Sequence, residues 1–240
     1  MDDITPLGDP IGRLLPGWSA PPAPPHAPLI GAHVRLDPLI ADTDVDDLWD
    51  AFAEDREGRG WTYLPDGPFA DKAGLHALLT RSEASRDPLF FTLRPQGDPH
   101  PAGFASYLRI TPAAGSIEVG FIHFAPRLQR SYAATEAMHL MAAQAFALGY
   151  RRYEWKCDAL NAPSRAAAAR LGFSYEGTFR QATVVRGRNR DTAWFAMTDG
   201  DWPAIGAAHQ AWLSPDNRDA DGRPIRSLSG MTRRLLVAAV

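Results

Sequence analysis

The chain has 240 residues, 45% of them hydrophobic, and a formal net charge of −3 at pH 7. This length allows one large domain with extensions, and the composition suffices for a buried core. The charge argues against direct nucleic-acid binding, because such a site needs an excess of lysine and arginine. No apolar run is long enough to cross a membrane, and the acidic, proline-rich start is unlike a signal peptide. We therefore expect neither nucleic acid nor a membrane as a partner.

The single cysteine, Cys157, rules out an internal disulfide and a cysteine-built metal site. We therefore expect no metal and a reducing, cytoplasmic location. Cys157 alternates with Tyr153 and Trp155 on one face of a short strand. A thiol among aromatic side chains behaves as a small hydrophobe, so the pattern favours an inert core thiol over a nucleophile.

The first 28 residues are predicted to form an extended arm. Their prolines exclude a helix or a central strand, and they include Pro16, Pro21, Pro22, Pro24, Pro25 and Pro28. Leu14, Leu15 and Trp18 favour partial docking of the arm, because free tails seldom carry such bulky groups. We predict three parts: the arm over residues 1–28, a domain over 29–213 and a C-terminal extension over 214–240.

The domain begins with a strand and two helices. Weak alternation over residues 32–39 predicts the first strand. Capping residues from Asp42 onward precede an amphipathic helix, and a second helix is expected over about residues 70–85. Between the helices, residues 60–69 form an aromatic loop with turn-forming residues.

Three strands follow, over residues 89–93, 102–110 and 116–124, and the last two form a hairpin. Strict alternation along the third strand predicts two faces unless a bulge intervenes. One face would carry Ile117, Val119, Phe121 and His123. The other would carry Glu118, Gly120, Ile122 and Phe124.

The second half of the domain alternates helices and strands. A helix over 135–148 is followed by a strand over 153–158 and a helix that starts at Asn161. Strands over 178–186 and 192–198 then precede a last helix that begins near Asp201. The order β-α-α-β-β-β-α-β-α-β-β predicts a mixed α/β fold with one central sheet, mostly antiparallel and flanked by helices.

Two helix starts in this half carry distinctive sequences. The segment Gln129-Arg-Ser-Tyr-Ala-Ala134 enters its helix with small residues, and a helix start has free N–H donors that suit a pyrophosphate. The segment continues Thr-Glu-Ala to Ala137. The second helix starts with Asn161-Ala-Pro-Ser164 and ends with Leu171-Gly-Phe173. In order and spacing these segments resemble the GNAT acetyltransferases, most closely the RimJ/RimL branch that acetylates ribosomal-protein N-termini, over residues 30–205.

The resemblance implies a GNAT fold with acetyl-CoA as co-substrate. The residues that correspond to the family's cofactor contacts are Ile122, Phe124, Gln129, Arg130, Ser131, Tyr132, Ala133, Ala134, Asn161 and Ser164. Tyr132 replaces the usual glycine, and its side chain could obstruct the pyrophosphate. Arg127 and Arg130 either reach the phosphates or remain solvated.

The resemblance also implies an acceptor site walled by the region between the first two helices. Trp61 and Tyr63 are therefore expected to bind the acceptor. Aromatic side chains also cover hydrophobic cores, so the alternative is a packing role for both residues, and the sequence leaves the two interpretations open.

Glu118 is the expected catalytic base, because members of the branch carry a carboxylate with this proposed role on the same strand. Glu118 lies one residue further from Pro126 than the branch pattern does, so either a bulge absorbs the extra residue or Glu118 faces elsewhere. Its alternative role is to pair with an arginine of a neighbouring strand. His123 is the second candidate base, since histidine titrates near neutrality; its alternative is a hydrogen-bonded ring among aromatic neighbours. The tyrosine acid of many GNAT enzymes is absent from residues 168–173.

These observations predict an acetyl-CoA-dependent N-acetyltransferase that transfers an acetyl group directly in a ternary complex. The acceptor would be the primary amine of a peptide N-terminus or of a small molecule. The alternative is a catalytically inactive, GNAT-like module that binds acyl-CoA. The apolar residues 231–240 would dock on the body or on a second subunit, so a homodimer remains open.

Overall fold

The structure, a computed structural model, describes residues 3–236. Its strands are β1 (Asp3–Ile4), β2 (Pro10–Ile11), β3 (Leu29–Ile30), β4 (Val34–Pro38), β5 (Leu89–Pro95), β6 (Gly103–Thr111), β7 (Ser116–Phe124), β8 (Arg152–Asp158), β9 (Ser174–Val185) and β10 (Arg188–Thr198). Its α-helices are α1 (Ala41–Phe52), α2 (Lys72–Ala84), α3 (Tyr132–Ala147), α4 (Ala162–Arg170), α5 (Trp202–Leu213) and α6 (Leu228–Thr232).

One sheet organises the domain, with the strand order β3-β4-β5-β6-β7-β8-β10-β9 in the described residues. Neighbouring strands are antiparallel except for β7 and β8, which are parallel. From β4 onward the element order is the predicted one. The predicted mixed, mostly antiparallel sheet flanked by helices is therefore confirmed.

Each face of the sheet is covered by its own hydrophobic core. On one face Val119 and Phe91 pack with Met141 of α3. On the other face Phe90 and Phe104 pack with Leu48 of α1 and Leu75 of α2. Neighbouring residues such as Phe90 and Phe91 enter different cores, because successive side chains of a strand point to opposite faces.

A β-bulge in β7 changes the predicted faces of that strand. Phe104 pairs with His123 but Ser106 pairs with Gly120, so β7 carries one extra residue, and Phe121 has a φ of 46°. Phe121 packs in the core of α1 and α2. The prediction that Phe121 and His123 share a face with Ile117 and Val119 is therefore wrong. A bulge shifts the alternation by one residue, which places Phe121 and His123 on the face of Glu118.

The hairpin of β9 and β10 is longer than predicted. Residues 188–191, expected in a loop, belong to β10, and Arg188 pairs with Val185. The turn is formed by Arg186 and Gly187, whose φ values are 49° and 72°. Two successive positive φ values match the twist of a tight hairpin, so the strands continue to its tip.

Both ends of the chain contact the domain. In the N-terminal arm the His26 ring contacts the Phe90 carbonyl oxygen through Nε2, at 2.8 Å, whereas Leu14 is 80% exposed. Near the C-terminus the Thr232 hydroxyl donates to the Arg170 carbonyl oxygen at 3.1 Å. Residues 237–240 of the predicted docking segment lie outside the described residues. The proposed division into three parts remains a prediction.

The Glu136 carboxylate fixes the start of the first long strand to α3. It accepts the backbone N–H groups of Ala32, His33 and Val34 at 2.9, 2.6 and 2.9 Å. Glu136 is buried, and a side chain at Gly31 would collide with its carboxylate. A glycine is therefore required where the backbone turns around this group.

We expect Glu136→Gln to lower the free energy of unfolding by about 2–4 kcal/mol, because an amide is a weaker acceptor and brings an N–H group close to backbone donors. Urea unfolding of the variant measures this loss. Glu83→Gln is the matched control, since Glu83 accepts a single backbone N–H group, that of Ala41 at 2.8 Å, in the described chain. An equal loss in both variants would contradict the special role of Glu136.

Candidate functional site

The neighbouring strands β7 and β8 separate at the centre of the sheet. Their parallel register runs from Ser116–Arg152 to Val119–Trp155, and both strands continue beyond it. At their carboxyl ends they lead into α3 and α4. Because the strands are parallel, the two helix N-termini meet at the same edge of the sheet, which is where α/β sheets commonly bind ligands.

The start of α3 presents free backbone donors. Ser131 caps the helix by accepting the Ala134 N–H group at 3.0 Å. Among residues 3–236, the N–H groups of Arg130, Tyr132 and Ala133 have no protein acceptor. Arg130 is exposed in a left-handed conformation with a φ of 59°. The Gln129 side chain is engaged elsewhere, as it donates to the Phe124 carbonyl oxygen at 2.9 Å. Free N–H groups at a helix start can bind an anion.

The Tyr132 ring packs against the C-terminal part of the chain. Its hydroxyl donates to the Gly222 carbonyl oxygen at 3.3 Å. Its ring centroid lies 4.7 Å from that of Trp212 and 4.3 Å from the Arg218 guanidinium. The side chain that replaces the family's glycine is therefore held by α5 and the segment that follows it.

The start of α4 has the predicted asparagine cap. Asn161 Oδ1 accepts the Ser164 N–H group at 3.0 Å, and the Ser164 hydroxyl accepts the Trp155 indole N–H group at 3.0 Å. Burial raises the pKa of the neighbouring Cys157 thiol, so this group stays protonated at neutral pH. The prediction of an unreactive thiol agrees with this environment.

A polar cleft of about 190 Å³ opens where the strands separate. Glu118, Lys156 and Arg190 line it from the sheet, and Gly60, Tyr63, Leu64 and Pro65 line it from the loop. Two side chains connect the loop of residues 60–69 to other parts of the domain beside the cleft. The Tyr63 hydroxyl donates to the Leu160 carbonyl oxygen at 3.1 Å. The Arg186 guanidinium at the hairpin tip donates to the carbonyl oxygens of Pro65 and Asp66.

Glu118 lies in this cleft within a charged network. Its side chain is 3% exposed, and Oε2 accepts from Arg109 Nη1 at 2.7 Å and lies 2.8 Å from Lys156 Nζ. Its second oxygen, Oε1, has no protein donor within the described chain. The alternative role of pairing with a neighbouring strand's arginine is therefore observed. Because Oε1 lacks a protein partner, the base role stays a prediction that this geometry permits.

Lys156 extends the network across β8. Its ammonium lies 2.6 Å from Glu154 Oε2 and 3.9 Å from the centroid of the Trp194 ring. Burial opposes ionisation of Glu154, but the bonds from Arg152 and Lys156 outweigh burial and lower the pKa of its carboxyl group. The network therefore keeps Glu118 beside two cations and away from bulk solvent.

The sequence predictions missed Arg109, Lys156 and Arg190. A signal for Lys156 was present: Glu154, Lys156 and Asp158 alternate with buried aromatic residues along a strand that the element order places inside the sheet. Charged residues at alternating positions of an inner strand need partners on the neighbouring strands. No such signal existed for Arg109 or Arg190, because both lie near polar turns in the sequence.

His123 lies among aromatic rings. Its ring centroid is 4.3 Å from Phe52 and 3.9 Å from Trp61, and the side chain is buried. Burial lowers its pKa to about 4, so the ring is neutral at pH 7. Trp61 is itself 4% exposed and packs on Phe69. These contacts match the alternative roles given above, in which His123 is a ring among aromatic neighbours and Trp61 packs in the core.

A second cavity of about 190 Å³ adjoins the cleft. Phe90, Phe104 and Phe121 line it together with Leu78 and Pro88, and it shares Leu64, Pro65 and Phe121 with the polar cleft. A mostly apolar cavity therefore lies beside the charged one.

The chain belongs to the GNAT acetyltransferases, because the acetyltransferase (GNAT) domain matches residues 33–174, more than half of its length. The predictions of a GNAT fold and of an N-acetyltransferase are thereby confirmed. The family uses acetyl-CoA. A comparison with curated protein sequences gave no match.

Solved structures agree with this assignment. A GCN5-related N-acetyltransferase from Brucella melitensis is 43% identical, with a TM-score of 0.88 over 91% of this chain and 100% of that one. Two proteins at 17% identity share the fold. One is the Salmonella typhimurium acetyltransferase that modifies the N-terminal serine of ribosomal protein L7/L12, with a TM-score of 0.60 over 70% of this chain and 96% of that one. The other is the microcin C7 self-immunity acetyltransferase bound to acetyl-CoA and AMP, with a TM-score of 0.63 over 73% and 98%.

None of the helices between residues 3 and 236 is long and apolar enough to cross a membrane. The same residues contain no group of three or more His, Cys, Asp and Glu side chains that could hold a metal ion.

The buried His123 makes stability depend on pH. Its folded pKa of about 4 lies below the usual histidine pKa of 6.5, because burial disfavours the charged ring. Below pH 6.5 the unfolded state therefore binds the proton first, and stability falls as the pH drops towards 4. We expect His123→Phe to remove about 2 kcal/mol of the stability loss between about pH 7.5 and pH 5.

Urea unfolding of wild type and variant at both pH values measures the difference. His209, whose pKa burial also lowers to about 4, is unchanged in both proteins and cancels in the comparison. Identical pH slopes for the two proteins would show that His123 is not the titrating group.

Proposed function

We propose that the protein is an acetyl-CoA-dependent N-acetyltransferase of the RimJ/RimL type. It moves an acetyl group to the primary amine of a peptide N-terminus or a small molecule, by direct transfer in a ternary complex. The observation that carries the proposal is the separation of β7 and β8 between two helix N-termini, with Glu118 in the cleft beside it. The solitary, buried Cys157 supports a reducing, cytoplasmic location.

The residues at the two helix starts fit coenzyme A. The free N–H groups of Arg130, Tyr132 and Ala133 suit a pyrophosphate. The exposed Arg130 adds a positive charge at the same place. Asn161 and Ser164 border the cleft where the two strands part, and Ile122 and Phe124 lie on the separated part of β7. In the bound state acetyl-CoA supplies an activated acetyl thioester.

Glu118 acts as the base in this proposal. An ammonium group must lose a proton before its nitrogen can attack, and an α-amine with a pKa near 7.7–8.0 needs only a modest base. Arg109 and Lys156 both engage Oε2, which orients the carboxylate and leaves Oε1 to accept the proton, directly or through a water molecule. Of the two predicted bases we retain Glu118, because His123 is buried between Phe52 and Trp61.

Tyr63 is assigned to the acceptor site, and Trp61 is assigned to the packing that holds the loop of Tyr63 in place. Tyr63 lines the cleft and donates to Leu160, whereas Trp61 packs in the core beneath the loop. The inactive acyl-CoA-binding alternative was motivated by Tyr132. The ring of Tyr132 packs on Trp212 and Arg218, so the structure gives no support to the argument that it obstructs the pyrophosphate.

We expect acetyl-CoA to stabilise the folded protein by about 2.7 kcal/mol at 100 times its dissociation constant, because only the folded loop and helix start bind it. Thermal unfolding with increasing acetyl-CoA measures this gain, and acetyl transfer to a panel of primary amines tests turnover.

Arg130→Glu should weaken acetyl-CoA binding about tenfold by placing a carboxylate beside the pyrophosphate.

Arg86→Glu is the matched control, since Arg86 is exposed and its neighbour Asp87 accepts the Ile110 N–H group near the start of β7, at the end of that strand opposite to α3. It makes the same change in net charge. A saturating titration without a melting shift would argue against cofactor binding, and equal weakening by both variants would argue against the assigned phosphate end.

We expect Glu118→Gln to lower the turnover number at neutral pH by at least about 100-fold, the lower range of positioned base catalysis. The acetyl-CoA dissociation constant should barely change. The defect should shrink as the pH rises, because more of the amine is then already neutral. Steady-state rates across pH and calorimetric titration of acetyl-CoA provide both measurements.

A purely structural Glu118 gives a different pattern: a lower melting temperature, near-normal turnover of the folded protein and no rescue at high pH. Arg109→Gln helps to separate the cases, since it removes one partner of Oε2 and retains the carboxylate. If Glu118 is the base, the turnover number of Arg109→Gln should fall less than that of Glu118→Gln. Its defect should also stay the same as the pH rises, because the base is still present.

A further inference from the structure

We propose that Arg190 binds an anionic group, a carboxylate or a phosphate, that the acceptor carries in addition to its amine. The inference rests on the proposed function in one respect: it takes the molecule that carries the anion to be the acetyl acceptor. It concerns a residue of β10 that lines the polar cleft and that neither the cofactor residues nor the base explain.

Arg190 lies on the acceptor side of the sheet. In the register of β8 and β10, Trp194 pairs with Lys156 and Thr192 with Asp158. Arg190 lies two residues before Thr192 on β10, and the register shift between these two residues places the extra residues on β9. Lys156 contacts both Trp194 and Glu118 on this face. The guanidinium group of Arg190 and the carboxylate of Glu118 therefore line one cavity on the same side of the sheet.

Arg190 lacks the partners that the other charged residues of the cleft have. Its Nε is buried without a hydrogen-bond partner, and within residues 3–236 its guanidinium forms no ion pair. By contrast Arg109 and Lys156 pair with Glu118. Asp158 also has a partner, because its Oδ1 accepts the Leu160 N–H group at 2.9 Å. Arg190 thus brings an uncompensated positive charge to the wall of the cleft.

A guanidinium group in this position has a specific chemistry. It is always charged, and its donors form a planar fork that matches a carboxylate or a phosphate. A buried N–H donor without an acceptor is unfavourable, and an anion would satisfy it. An anion bound there would orient the acceptor with its amine towards Glu118. The acceptor is therefore an amine that also carries a carboxylate or phosphate, such as an amino acid, an acidic peptide terminus or an aminoalkyl phosphate.

Matched acceptor pairs test the proposal. One pair is an amino acid and its carboxamide, and the other is phosphoethanolamine and ethanolamine. We expect Arg190→Gln to lower the ratio of kcat/KM for the anionic over the neutral member by about 10- to 100-fold, the range of a hydrogen bond to a charged group. The pair that shows the loss identifies the anion as carboxylate or phosphate. Arg188→Gln is the control, because Arg188 lies two residues earlier on β10, is exposed and does not line the cleft. It should leave both ratios unchanged.

A binding measurement separates this inference from the proposed function. The N-acetylated amino acid and N-acetylated phosphoethanolamine are titrated by calorimetry into wild type and Arg190→Gln, each saturated with coenzyme A. Loss of binding in Arg190→Gln supports the anion site even if no amine is acetylated, and that result overturns the proposed function alone. Turnover with ratios that Arg190→Gln does not change overturns the anion site alone. Absence of Arg190-dependent binding together with absence of turnover overturns both, and melting temperatures confirm that each variant is folded.

Discussion

The extra residue that β7 accommodates at Phe121 is the constraint on which the site depends. Before the bulge β7 pairs with β8, and beyond it the two strands separate. The bulge also reverses the alternation of side chains, so that Phe121 joins the core of α1 and α2. Without this residue the hydrophobic pattern of β7 would hold the strand in an ordinary ladder, and the sheet would have no cleft at its centre.

The second requirement of the site is the charged network across β6, β7 and β8, in which Glu118 and Lys156 are buried and Arg109 is exposed. Arg109, Glu118 and Lys156 come from three neighbouring strands, and each neutralises another. Removing Glu118 or Lys156 leaves a buried charge without its partner, which typically costs about 3–5 kcal/mol, whereas the exposed Arg109 is screened by solvent and contributes less. The network is therefore coupled to the register of the sheet. Slippage of any of these strands would separate the charges, so the same interactions that hold Glu118 also specify the alignment around the cleft.

Much of this architecture was predictable because it depends on local sequence. The helix start at Asn161 follows from a capping side chain that satisfies a backbone donor three residues on. The other helix, α3, begins at Tyr132, three residues before the predicted start at 135, because Ser131 caps it. The bulge was not predictable, since its position depends on how distant residues of β6 and β7 align. An arginine partner for Glu118 was foreseen as the alternative role, but Arg109 and Lys156 could not be named, because they are separated from Glu118 in sequence and meet it only in the sheet. The position of the Tyr132 ring was not predictable either, because the aromatic and cationic groups that hold it follow some 80 residues later, at Trp212 and Arg218.

The two side chains that connect the loop of residues 60–69 to other parts of the domain have a consequence for the cleft. Tyr63 and Arg186 donate to backbone carbonyl groups of Leu160, Pro65 and Asp66, and these contacts are exposed to solvent. An exposed hydrogen bond contributes only about 1 kcal/mol net. Breaking the three contacts together therefore costs about 3 kcal/mol, far less than unfolding the domain. These contacts are therefore much weaker restraints on the cleft than the buried charges and the strand pairing of the sheet.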